Sequence, residues 1–122
     1  MDERAFKDRT KGFALAVIHL VQRLPAGPSS DVIGRQILRS ATSIGANYRA
    51  ACRAKSLADM INKLKIVEEE ADESLYWLEL LGESGIVQLD QLSALSKECD
   101  ELVAMTVASL KTLRARQSNR QS

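Results

Sequence analysis

The chain has 122 residues, of which 45% are hydrophobic and only 4% aromatic, as expected for one domain with an aliphatic core. Its net charge of +1 favours charges used within the protein or against a copy of it over uniform coating of a polyanion. A membrane span needs about 18 apolar residues, and the best candidate, residues 13–21, is too short. We therefore expect a soluble, cytoplasmic protein with no membrane partner.

Hydrophobic periodicity predicts four helices and no strand. Short links between amphipathic helices place neighbours side by side, so we expect an all-α, antiparallel up-down four-helix bundle that forms a single domain over residues 1–122. The predicted helices span about residues 3–24, 31–54, 57–82 and 88–116, and a frayed tail follows at residues 117–122.

The first predicted link contains Pro25, Gly27 and Pro28, which cannot continue the first helix. Ser30 or Asp31 then follows as the cap of the second helix. The sequence therefore predicts that the first helix stops at this link and that the second helix begins after it.

The second predicted helix carries a stripe of arginines. At about 100° per residue, the four side chains fall within an arc of roughly 80°. Gly45 lies inside the same helix at a cost of about 1 kcal/mol relative to Ala, which indicates that a neighbouring backbone comes close. The arginine stripe consists of Arg35, Arg39, Arg49 and Arg53.

The third predicted helix has a second apolar stripe on the side away from its core face. A lone bundle would leave Trp77 and Leu81 in water, and burying them stabilises by several kcal/mol at roughly 25 cal/mol per Å². This face therefore predicts a homo-oligomer interface, with an arginine of the stripe paired to Glu70 or Glu73 across a helix or subunit boundary. The predicted interface consists of Ile66, Glu70, Glu73, Trp77, Leu80 and Leu81.

Residues for catalysis, for a cofactor or for a metal site are not predicted. The single histidine, His19, has no carboxylate three or four places away, so Glu70 and Glu73 lack the Glu-x-x-His companion of a bundle metal site. Cys52 and Cys99 fit buried thiols better than a disulfide or zinc ligands. No triad or phosphate loop can be assembled, and we predict a protein that is not an enzyme.

Charge is segregated along the chain. Residues 35–65 hold seven basic residues and one acidic, a net +6, whereas residues 66–101 hold eleven acidic residues and one basic, a net −10. Two functional classes stay open: a nucleic-acid or ribonucleoprotein binder, and a protein scaffold of unknown partner that binds no nucleic acid. The arginine stripe spans about 27 Å of helix, and a second basic cluster follows at Lys111, Arg114, Arg116 and Arg120.

Two segments, RSATSIGANYRAACRAKS at residues 39–56 and EEADESLYWLELL at residues 69–81, resemble a bacterial four-helix bundle family. That family is named for reading frames in intervening sequences of large-subunit ribosomal RNA genes. The resemblance covers nearly the whole chain and implies a ring-shaped homopentamer.

A more distant resemblance is to the accessory variability proteins of diversity-generating retroelements. Those proteins are basic pentamers that serve a reverse transcriptase and its RNA, which implies nucleic acid or a nucleic-acid-processing protein as a partner. This chain departs from the two groups in its near-neutral charge and in Ala50, where many members of the intervening-sequence family carry Glu.

Overall fold

The computed structural model describes residues 2–121, which contain four helices and no strand. Each helix packs against its neighbour in the chain, and α4 closes on α1 in the least extensive of the four contacts. The predicted all-α four-helix bundle is confirmed. The helices are α1, Glu3–Gln22; α2, Pro28–Cys52; α3, Leu57–Glu83; and α4, Leu89–Gln121.

Side chains cap the first turns of α1 and α3. The Asp2 carboxylate accepts a hydrogen bond from the Arg4 backbone nitrogen at 3.1 Å, and Ser56 Oγ accepts one from the Asp59 nitrogen at 3.1 Å. Asp59 in turn accepts a bond from the Lys55 nitrogen at 3.2 Å. These contacts satisfy backbone N–H groups that have no partner inside a helix, so the sequence itself marks where both helices begin.

The start of α2 differs from the prediction. The helix begins at Pro28, with Gly27 as its N-cap at φ 148°, so the prediction that Ser30 or Asp31 caps α2 is wrong. Proline suits the first helical position because its fixed φ is helical and its missing N–H would have no partner there. Ser30 is instead a buried residue of the first turn.

The ends of α1 and α4 also differ from the predicted spans. Helix α1 ends at Gln22, shortly before the proline-containing link, and α4 continues to Gln121. Residues 117–121 contain neither Gly nor Pro, so no residue there breaks the helix. Of the predicted frayed tail, Ser122 lies outside the described residues.

The bundle core is aliphatic, with one aromatic pair. The rings of Phe6 and Tyr48 lie with their centroids 4.5 Å apart, and both side chains are buried. Within residues 2–121, none of the helices combines the length and the apolar character that a membrane span needs. The largest fully buried apolar side chains are Phe6, Ile37, Ile44, Leu78, Leu81, Leu102 and Leu110.

Helices α1 and α2 come close together at Gly45. A Cβ atom at this position would lie 3.2 Å from Thr10 Oγ1 and 3.5 Å from Thr10 Cβ. Thr10 is itself buried and donates its hydroxyl to the Lys7 carbonyl at 3.1 Å. The prediction that a neighbouring chain segment approaches Gly45 is confirmed, and the neighbour is Thr10.

We expect Gly45→Val to lower the free energy of unfolding by about 1 kcal/mol or more, because its branched side chain would displace Thr10 from a packed position. Gly12→Ala is the matched control, since its Cβ would have nothing within 4 Å, and it should stabilise by about 0.5–1 kcal/mol through helix propensity. Urea unfolding at one fixed protein concentration measures both. A Gly45→Val variant as stable as the wild type would contradict the close packing of Thr10.

Candidate functional site

An ion cluster around Arg39 joins α2 to α3. Arg39 Nη1 donates to Glu70 Oε2 at 2.9 Å, and Nη2 donates to Glu73 Oε2. Trp77 Nε1 donates to the same Glu73 oxygen at 3.1 Å. The Glu70 side chain is only 15% exposed, so it needs a cation beside it. The predicted pairing of a stripe arginine with these glutamates is confirmed for Arg39, and it occurs within one chain.

The cluster changes the protonation equilibria of its members. The hydrogen bond from Trp77, followed by the bond and the charge of Arg39, lowers the pKa of Glu73 despite partial burial. Folding therefore favours the ionised carboxylate. The resulting stabilisation is complete above the pKa of the unfolded carboxyl, about 4.3, and is lost as the pH falls through the lower pKa of the folded state.

The predicted interface on α3 is divided by the fold. Ile66 is 36% exposed, whereas Trp77 is partly buried against the core and Leu80 is half-buried. The expectation that an isolated bundle leaves Trp77 and Leu81 in water is wrong for Leu81, which is fully buried, and holds only in part for Trp77. Leu81 lies three residues after Leu78 and extends the buried stripe by one step, which removes it from the outer face.

The arginine stripe is also divided. Arg39 is taken up by the ion cluster, whereas Arg35, Arg49 and Arg53 are exposed. These three side chains take part in none of the ion pairs found within residues 2–121. Their charges are consequently available to another molecule.

The second basic cluster lies at the C-terminal end of α4, and its four side chains are exposed. Arg116 lines an open pocket of about 500 Å³ together with Glu3 and Met60, which belong to the first turns of α1 and α3. Arg116 therefore lies beside the first turns of those helices, and α4 carries no acidic residue after Glu101. The cluster consists of Lys111, Arg114, Arg116 and Arg120.

A second interhelical ion cluster was not anticipated from the sequence. Arg9 on α1 donates to Glu98 on α4 through Nε at 3.0 Å and to Glu101 through Nη2 at 2.9 Å. Hydrogen bonds to Glu98 and then to Glu101 raise the pKa of Arg9. The available signal was the spacing of Glu98 and Glu101, three residues apart like Glu70 and Glu73. That spacing does not reveal which helix supplies the cation.

Thiols and carboxylates form no ligand cluster in the described part of the chain. No group of three or more His, Cys, Asp or Glu side chains among residues 2–121 is arranged to hold a metal ion. Cys99 is buried and donates to the Ala71 carbonyl at 3.1 Å, and burial raises its pKa to about 12. Cys52 is half-buried, with its pKa raised mainly by burial. Both thiols are therefore protonated at neutral pH.

Four antiparallel helices, joined by interhelical ion clusters and carrying exposed charged faces, define an all-α bundle protein. The family model described as 23S rRNA-intervening sequence protein matches residues 4–108. The chain belongs to that family, as the resemblance in its sequence implied.

A solved structure supports both the fold and the family. It is the crystal structure of a protein of unknown function from the S23 ribosomal protein family of Bacteroides thetaiotaomicron. This chain is 38% identical to it, with a TM-score of 0.84 over 91% of this chain and 99% of that one. No curated protein matches this chain. Neither description names a catalytic activity.

We expect Arg39→Ala to lower the free energy of unfolding by about 1 kcal/mol, the upper range for a partly exposed ion pair, because Glu70 then loses its cation. Arg35→Ala is the matched control and should change it by less than about 0.5 kcal/mol. Urea unfolding at fixed protein concentration measures both variants. Equal stability of the two would contradict a stabilising role for the Arg39 cluster.

The dependence of stability on pH should also change in the Arg39→Ala variant. Between about pH 5 and pH 3, the wild type should lose more stability than Arg39→Ala, because Arg39 helps to lower the pKa of Glu73 only in the folded state. Unfolding curves recorded at several pH values test this. Parallel loss of stability in the two proteins would show that Arg39 does not affect this titration.

Proposed function

We propose that this chain is a non-enzymatic, self-associating four-helix bundle that acts as an accessory module on nucleic acid or on a ribonucleoprotein. The observation that carries the proposal is a set of exposed cations that have no ion pair within residues 2–121. They lie on α2, at its C-cap and on α4, and consist of Arg35, Arg49, Arg53, Lys111, Arg114 and Arg116.

Exposed arginines and lysines bind phosphates and release condensed counterions. The set from Arg35 to Arg53 covers about 27 Å at 1.5 Å per residue, enough for several phosphates, and Lys111 to Arg116 covers about 8 Å. In a homo-oligomer each set repeats, so a modest charge per chain becomes a large local field. The family description, which refers to an intervening sequence of 23S rRNA, agrees with a nucleic-acid context.

The self-association in this proposal is a homopentameric ring that uses the outer face of α3. Ile66, Tyr76 and Leu80 keep apolar surface on this helix, with exposed fractions of 36% for Ile66 and 52% for Tyr76. Contact with a second copy would remove that surface from water. Native mass spectrometry of protein purified without nuclease reports the number of subunits and any bound polynucleotide together. A monomer at micromolar concentration would refute the assembly.

We expect binding to structured RNA whose affinity falls steeply as salt rises, with a slope of about −0.7 to −0.9 per phosphate contact. Replacing Lys111, Arg114 and Arg116 together with Gln should weaken binding and make the slope shallower. Fluorescence anisotropy across a salt series measures both effects.

The matched control for this experiment replaces two other exposed lysines, Lys11 and Lys97, with Gln. The control should leave the salt slope within error of the wild type. Absence of RNA binding by the wild-type protein at low salt would reject the nucleic-acid function.

A second candidate is a protein scaffold with no nucleic-acid binding. It is favoured by the exposed Tyr76, which lies beside Trp77 with ring centroids 5.1 Å apart, because aromatic side chains are enriched at protein interfaces. A scaffold should retain a defined protein partner after nuclease treatment, whereas a partner bridged by RNA should be lost.

A further inference from the structure

Two lines of three exposed side chains, one along α2 and one along α3, have the same length. On α2, Thr42 has Arg35 seven residues before it and Arg49 seven residues after it, and all three residues are exposed. Seven residues are almost two helical turns, so these side chains share one face and are spaced by about 10 Å. The α2 line is therefore a small residue between two arginines.

The α3 line repeats this arrangement with the opposite charge. Tyr76 has Glu69 seven residues before it and Glu83 seven residues after it, and all three are exposed. Two further exposed carboxylates widen the acidic face: Asp72 lies four residues before Tyr76, and Glu79 lies three residues after it. The α3 line is a large aromatic residue between two glutamates at the same spacing.

The charged side chains of both lines are exposed and have no charged partner in the described part of the chain. Arg35, Arg49, Glu69 and Glu83 take part in no ion pair within residues 2–121. The seam between α2 and α3 is instead occupied by Arg39 and its two glutamates.

The helical wheel places the two lines away from that seam. Thr42 lies about 60° from Arg39 around α2, and Tyr76 is exposed whereas the adjacent Trp77 faces Glu73. Both lines therefore face water in the isolated bundle, where a second molecule has access to them.

We infer that α2 of one copy packs along α3 of a neighbouring copy, with the neighbour's Tyr76 against Thr42. This places Arg35 and Arg49 opposite the two glutamates that flank the neighbour's Tyr76, and opposite charges at matched spacing give the pairing its register. Because each line is symmetric about its centre, the match holds for either relative direction of the helices. The inference rests on the proposed self-association and names its contact surfaces.

This contact joins two different surfaces, so it is head-to-tail. Packing α2 against α2 would bring arginines together, and packing α3 against α3 would bring glutamates together. Each copy carries one basic and one acidic line on different helices, and contacts of this kind build rings or open chains. The contact also covers Arg35 and Arg49, so in the assembly nucleic acid would contact Arg53 and the C-terminal cluster on α4 and not the whole arginine set.

Charge exchange tests the pairing. Arg35→Glu with Arg49→Glu should reduce the oligomer to the 13.4 kDa monomer, and Glu69→Lys with Glu83→Lys should do the same. A chain with all four substitutions should recover the wild-type mass, because its lines are again complementary. Light scattering coupled to size exclusion measures the mass, and circular dichroism checks that each variant is folded. Lys11→Glu with Lys97→Glu, two exposed cations on other helices, is the control and should keep the wild-type mass.

Crosslinking tests the centre of the contact. In a Cys52→Ser background, a Thr42→Cys chain mixed with a Tyr76→Cys chain should form heterodimers with a short bismaleimide, whereas Thr42→Cys alone should not. A Lys97→Cys chain in place of Tyr76→Cys is the control. Cys99 is buried and stays in place.

The outcomes separate this inference from the proposal on which it rests. A wild-type monomer would overturn the self-association and the pairing together. A wild-type oligomer that survives both charge reversals and gives no crosslink between positions 42 and 76 would overturn the pairing alone. Loss of RNA binding without loss of mass in Arg35→Glu with Arg49→Glu would also overturn it, because those arginines would then serve nucleic acid.

Discussion

The pairing of Arg39 with two carboxylates fixes how α2 lies against α3, and the outer surface of the bundle depends on that register. Aliphatic side chains pack without directional preference, and an aliphatic core tolerates many arrangements of similar volume. A guanidinium that bonds two carboxylates at fixed positions is satisfied by only one arrangement of the two helices. Ser40 and Ser74 add a buried hydrogen bond of 2.8 Å across the same helix pair, which penalises any slip that would leave either hydroxyl unpaired.

The Arg9 cluster joins α1 to α4 as the Arg39 cluster joins α2 to α3. This helix pair makes the least extensive contact of the bundle, so a polar anchor has a larger share in positioning it. Both clusters consist of one arginine and two glutamates three residues apart, a spacing that places both carboxylates on one helix face. Each cluster sets one positive charge against two negative charges, so it keeps a net charge of −1 that adds to the field of the other exposed charges.

The predictable part of this structure is what depends on local pattern. Helical periodicity predicted the four helices, and the cost of glycine inside a helix predicted the close approach at Gly45. Contacts between helices were predicted only in part: the pairing of a stripe arginine with Glu70 or Glu73 was expected from the sequence, whereas Arg9 and Glu98 lie 89 residues apart and no local pattern joins them. Leu81 was misplaced because it lies between two apolar stripes, and packing against the other helices decides to which stripe such a residue belongs. The cap of α2 was placed at Ser30 or Asp31 instead of Gly27 because the suitability of Pro28 for the first helical position was not considered.

The difference between Arg35 and Arg39 shows how position assigns function to one residue type. They are four residues apart, and that spacing rotates them by about 40° around α2. The rotation brings Arg39 to the carboxylates of α3 and leaves Arg35 in solvent. The glutamates of α3 divide in the same way, since Glu70 and Glu73 face Arg39 whereas Glu69 is exposed. Each helix therefore uses part of its charge to hold the bundle together and presents the rest outward, where only solvent or another molecule can neutralise it.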